Sequence, residues 1–93
     1  MSTDPDLAGP WRLAPTVALR PETFGALAYD FTTRRLTFVK DPRLVEVLHS
    51  LDRSVDIETA MEQCGIDEGV RPAFRRALST LAERGTIEPR RVA

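Results

Sequence analysis

The stretch Arg34-Arg-Leu-Thr-Phe-Val-Lys-Asp-Pro-Arg-Leu-Val-Glu-Val-Leu48 changes period in its middle, and that change decides the fold. Over 34–40 the residues alternate as in a strand: Leu36 and Phe38 share one face, Arg35, Thr37 and Val39 the other. Asp41-Pro42 ends the alternation. The aspartate offers a side-chain acceptor to the free N–H groups of a first helical turn, and proline suits the first helical position. Beyond it Leu44, Val45, Val47, Leu48 and Leu51 recur at helical spacing, which predicts a helix over about 42–51.

Working outward from this switch, two more strands are predicted upstream. Residues 16–20 are short, β-rich and closed by Pro21, as befits an edge strand. Residues 24–30 form the next strand, and the polar turn Asp30-Phe31-Thr32-Thr33 folds it onto 34–40 as an antiparallel hairpin. Downstream, a second helix follows Asp56 with Ile57, Ala60, Met61 and Cys64 as its apolar stripe. Gly65 suits the left-handed position just past its end. A third helix over about 69–84 carries Val70, Phe74, Ala77, Leu78 and Leu81, and Gly85 follows it. Thr86-Ile87-Glu88 reads as a short extended return. Strands first and helices second argue an α+β domain. Residues 11–88 form that domain, 1–10 a flexible leader and 89–93 a frayed tail. Trp11 is expected to pin the leader to the core.

Ninety-three residues allow one small core, and the residue inventory excludes most chemistry. One histidine, His49, and one cysteine, Cys64, supply neither the roughly four ligands of a protein-only zinc site nor a nucleophile with its base. No catalytic residue, metal ligand or cofactor is therefore assigned. His49 reads as a surface or packing residue and Cys64 as a small core filler. No apolar run approaches the ~20 residues of a membrane span, and the polar start is unlike a signal peptide. With a single cysteine no internal disulfide forms, which suits the cytoplasm.

The formal charge of −1 conceals a pattern. Residues 1–31, 32–54, 55–70 and 71–93 carry −2, +2, −5 and +4. The acidic block, Asp56, Glu58, Glu62, Asp67 and Glu68, reads as a solvated face. The basic blocks coincide with the third strand and the third helix. On that helix Arg71, Arg75, Ser79 and Ala82 step by three or four and share one side. If the third strand ends the sheet, its unpaired backbone groups offer a template on which an acidic peptide adds as a further strand. Such an edge also invites pairing with a second copy of the chain, a homodimer. The competing reading is a winged helix with the third helix in a DNA major groove, which the overall acidity disfavours.

Two stretches carry a resemblance. Trp11-Arg-Leu-Ala-Pro-Thr-Val-Ala-Leu-Arg-Pro-Glu-Thr-Phe-Gly-Ala-Leu-Ala-Tyr29 and Arg34 to Leu48 resemble the MftB family of peptide chaperones from mycofactocin biosynthesis. Leu81-Ala-Glu-Arg-Gly-Thr-Ile87 is similar to the third helix and exit of the wider PqqD-like peptide-binding domains. The resemblance implies a winged helix-turn-helix-like fold, with a three-stranded antiparallel sheet followed by three helices. It implies a partner peptide, the acidic ribosomal precursor, bound as an added strand against the third helix. It also implies a second partner, a radical S-adenosylmethionine enzyme that receives the peptide and carries the chemistry. Carried onto this chain, the peptide-binding residues are Leu36, Thr37, Phe38 and Val39 on the strand. On the helix they are Arg71, Arg75, Leu78, Ser79 and Ala82. No nucleic acid or membrane partner is implied.

Overall fold

The computed structural model describes residues 7–90. The elements run β1 (Trp11–Leu13), β2 (Val17–Glu22), β3 (Gly25–Asp30), β4 (Arg35–Val39), α1 (Pro42–Ser50), α2 (Ile57–Gln63), α3 (Arg71–Glu83) and β5 (Ile87–Pro89). A short 3-10 turn, Leu51–Arg53, continues α1. The domain is α+β. An antiparallel sheet ordered β2-β3-β4 precedes three helices, and a separate antiparallel pair joins β1 to β5.

The capping chemistry acts as its residue types require. Asp41 Oδ1 accepts from the backbone N–H of Arg43 at 2.9 Å, which starts α1. Asp56 Oδ1 accepts from that of Thr59 at 2.7 Å, which starts α2. Gly65 and Gly85 take φ of +71° and +80° after α2 and α3. The hairpin between β3 and β4 is held by Asp30, whose carboxylate accepts from the Thr32 N–H and hydroxyl. Two boundaries differ from expectation. Pro21 lies inside β2 rather than closing it, and Arg34 precedes β4 in a left-handed conformation at φ 62°.

The core lies between the sheet and the helices. Ala26, Ala28 and Val39 turn inward, where Leu44, Val47, Leu48, Met61, Leu78 and Leu81 bury with them. The two alanines of β3 leave room for α1 to pack closely on the strand. Gly25 is essential to the hairpin geometry. A Cβ there would lie 2.1 Å from the Val39 carbonyl oxygen, and its φ of +147° disfavours any side chain.

The β1–β5 pair closes the chain on itself. Trp11 faces Pro89 in register, and Arg12 ion-pairs with Glu88. Trp11 is buried, and its Nε1 donates to the Leu7 carbonyl at 3.1 Å. Arg90 N donates to the Pro10 carbonyl, and the Arg90 guanidinium to that of Ser54. Trp11 thus anchors the start of the domain, as expected, but does so from within a strand. Most of the expected leader and tail, residues 1–6 and 91–93, lies outside the described residues.

Candidate functional site

β4 is the last strand of its sheet, and it is the strand next to α3. The register pairs Arg35, Thr37 and Val39 with Asp30, Ala28 and Ala26. The Leu36 carbonyl points the opposite way, since it accepts from the Arg84 guanidinium at 3.4 Å. In an antiparallel strand both backbone groups of a residue point to the same side, and alternate residues share that side. Leu36 and Phe38 therefore turn their N–H and C=O groups to the open edge.

Between this edge and α3 lies a cavity of about 450 Å³. Thr37, Phe38, Val39 and Lys40 line one wall, and Ala73, Phe74, Ala77, Thr80 and Leu81 the other. Asp41 and Leu44 close one end. Ala73, Ala77 and Thr80 step by four and three, so one face of α3 presents small side chains to the groove. At the Asp41 end the Arg43 guanidinium stands 5.4 Å from the Phe74 ring centroid and pairs with Asp41. That pairing, above all the hydrogen bond from the Arg43 side chain, holds the Asp41 carboxyl below its usual range. At the other end Arg84 Nε donates to Thr37 Oγ1 at 3.0 Å.

Of the residues proposed from the sequence, the structure brings three of the four on β4 to the groove but not those on α3. Thr37, Phe38 and Val39 line it, and Leu36 supplies edge backbone groups. Arg71, Arg75, Leu78, Ser79 and Ala82 are not among its lining residues. Arg75 forms a two-pronged ion pair with Glu58 of α2, with the longer contact at 2.8 Å. This pair lowers the Glu58 carboxyl and raises the Arg75 guanidinium. Arg71 Nε donates to the Ile66 carbonyl at 2.9 Å. Leu78 is fully buried in the core and Ser79 is buried beside it. Three- and four-residue spacing groups side chains onto one face without saying which way that face turns. Phe74, Leu78 and Leu81 bury together, so the arginine stripe is rotated toward α2. Arg84, which donates to Thr37 of the groove wall, stands outside that stripe. Its four-residue step from Thr80 is the sequence signal that places it on the groove face.

The outward face of the sheet is also apolar. Leu36 is 54% exposed and Phe38 61%, and Phe24 meets Phe38 edge-on at 5.9 Å. A strand laid along β4 would find Leu36 and Phe38 as neighbours on this face and Thr37 and Val39 on the inner one. Among the described residues no three His, Cys, Asp or Glu side chains are grouped to hold a metal ion, and no helix is long and apolar enough to cross a membrane.

The fold and the groove define a small α+β domain with an open edge strand set against a helix, the class of surface on which extended peptides add as strands. Comparison with known proteins narrows the class. Residues 10–88 match the model of the peptide chaperone MftB family. The chain is 42% identical to the peptide chaperone MftB of Mycobacterium tuberculosis (strain ATCC 25618 / H37Rv) over 87 residues, 94% of this chain and 78% of that one. It is 40% identical to the peptide chaperone MftB of Mycolicibacterium smegmatis over 86 residues, 92% of this chain and 82% of that one. No solved structure matches. The chain belongs to the peptide chaperone MftB family, which is not a family of enzymes. That membership does not favour the DNA-binding alternative.

Proposed function

We propose that this protein captures the acidic, ribosomally made mycofactocin precursor peptide as a fourth strand on β4 and presents it to a radical S-adenosylmethionine enzyme in the cytoplasm. The observation that carries this reading is the open β4 edge, where Leu36 and Phe38 present their backbone N–H and C=O groups, beside a groove of about 450 Å³ whose far wall includes Ala73, Ala77 and Thr80 of α3. Main-chain bonds along the edge supply sequence-tolerant affinity, and the groove and the outward Leu36–Phe38 row read alternate side chains. A preformed edge and wall lower the ordering cost of a short peptide, since only one partner must become ordered. A chaperone docked on the enzyme would raise the local peptide concentration there. The three-stranded β2-β3-β4 sheet followed by three helices supports a winged-helix-like, PqqD-like assignment.

Backbone amide exchange tests the reading. On addition of a synthetic acidic mycofactocin-type precursor peptide, the Leu36 and Phe38 amides should become protected. The Thr37 amide, already paired with β3, should not change. Protection absent from both, with the peptide in excess, would refute strand addition on β4.

A further inference from the structure

We propose that Arg84 guards the β4 edge and selects precursor segments that carry an inward-facing carboxylate beside Thr37. The inference rests on the strand-addition reading above and specifies the contact that makes it selective.

Arg84 caps the C-terminal end of α3 with helical backbone angles, so its side chain continues the face that lines the groove. Its guanidinium meets two neutral oxygens, Thr37 Oγ1 at 3.0 Å and the Leu36 carbonyl at 3.4 Å. Arg12, Arg20, Arg43 and Arg75 each find a carboxylate, whereas Arg84, like Arg71 and Arg90, is held by neutral oxygens. Among the described residues no carboxylate lies within ion-pairing distance of Arg84. The half-buried cation is thus held by partners that match its hydrogen-bonding geometry but not its charge.

The Leu36 carbonyl is also an acceptor that an added strand requires. While Arg84 covers it, the edge is guarded against casual pairing, a liability that exposed edges must manage. An incoming strand takes the Leu36 carbonyl for its own N–H and displaces the guanidinium. The planar fork then needs a new acceptor. A carboxylate on the same face as Thr37 satisfies both its geometry and its charge, with charge-assisted bonds stronger than the neutral ones lost. A segment without that carboxylate leaves a half-buried cation unpaired, which turns the guard into a filter.

A double-mutant cycle tests this, using titration calorimetry on the full chain. The wild type and Arg84→Gln are titrated with a synthetic acidic mycofactocin-type precursor peptide. They are also titrated with versions in which each Asp is changed to Asn or each Glu to Gln, one at a time. Arg84→Gln should weaken the unaltered peptide about tenfold or more. One amide-substituted peptide should lose a similar factor against the wild type and nothing further against Arg84→Gln. Arg84→Lys should restore only part of the affinity, because it keeps the charge and loses the fork. Losses that multiply independently for every peptide position would reduce Arg84 to a brace between α3 and β4 and overturn the proposal. Failure of the wild type to bind the unaltered peptide is a different result, which overturns the chaperone reading itself.

Discussion

The two edges of the β2-β3-β4 sheet are treated differently. At the β2 edge, Phe31 N donates to the Thr16 carbonyl, so Thr16 and the even-numbered residues of β2 face β3. The outward positions are Val17, Leu19 and Pro21. Pro21 has no N–H, and the Val17 N–H is spent on the Ala14 carbonyl, so one outward donor remains. At the β4 edge there is no proline, and Leu36 and Phe38 both keep their donors. Proteins commonly blunt an edge with proline or by local capping. Here that protection is placed on one edge, while the other lies beside a groove, with its Leu36 carbonyl bonded to Arg84 and its donors free of such blocking. The contrast separates an edge that is blocked from one on which the proposed strand addition has room and free donors.

The comparison breaks most severely if β4 leaves the sheet. Gly25→Ala drives a Cβ into the Val39 carbonyl and forces a side chain into a positive φ. It should cost about 3 kcal/mol or more, read by denaturant titration, and remove peptide binding with the edge. The next effect makes the two edges alike. Phe38→Pro deletes an outward donor as Pro21 does, without touching the ladder to β3. Affinity for the precursor peptide should fall about tenfold or more, while stability changes by about 1 kcal/mol or less. Pro21→Val, the reciprocal change, should leave affinity unaltered, because the groove beside α3 is lined by β4 and not by β2. If Phe38→Pro binds as well as the wild type, the distinction between the edges has no functional meaning.

The smallest effect sharpens where the open edge ends. Asp41 terminates β4 and caps α1, so Asp41→Ala should cost about 1 kcal/mol. Its carboxyl is lowered from the ordinary 3.8, first by the side-chain hydrogen bond from Arg43 and then by the Arg43 N–H. The unfolded chain therefore takes up this proton first as the pH falls. The stabilisation is complete above 3.8 and is lost progressively below it. Acid titration of the unfolding midpoint should show a shallower decline in Asp41→Ala than in the wild type.

Much of this architecture was legible because its signals are local. Asp41-Pro42, Asp56, Gly65 and Gly85 mark helix ends through their own chemistry, and each behaves as its residue type requires. Alternation in 24–30 and 34–40 identified the hairpin. The β1–β5 pair was half visible: Ile87 read as extended, but a three-residue strand at Trp11 has no period, and its partner lies more than seventy residues away. Direction was the harder property. Alternation split Leu36 and Phe38 from Thr37 and Val39 without saying that the larger pair faces outward. That orientation follows from the tight packing of Ala26 and Ala28 on α1. The same lack of direction hid the groove face of α3. Ala73, Ala77 and Thr80 bear no charge to draw attention, whereas Arg71 and Arg75 do.

The β1–β5 closure has a spectroscopic consequence. Trp11 is the only tryptophan in the chain, and it sits buried where the two ends of the domain meet. Tyr29, the only tyrosine, is 38% exposed on the outward face of the sheet, opposite Leu36 in register. Indole emission therefore reports on the closing of the chain ends, and phenol absorbance on the sheet that bears the open edge. The molecule carries one intrinsic chromophore for each of its two β assemblies.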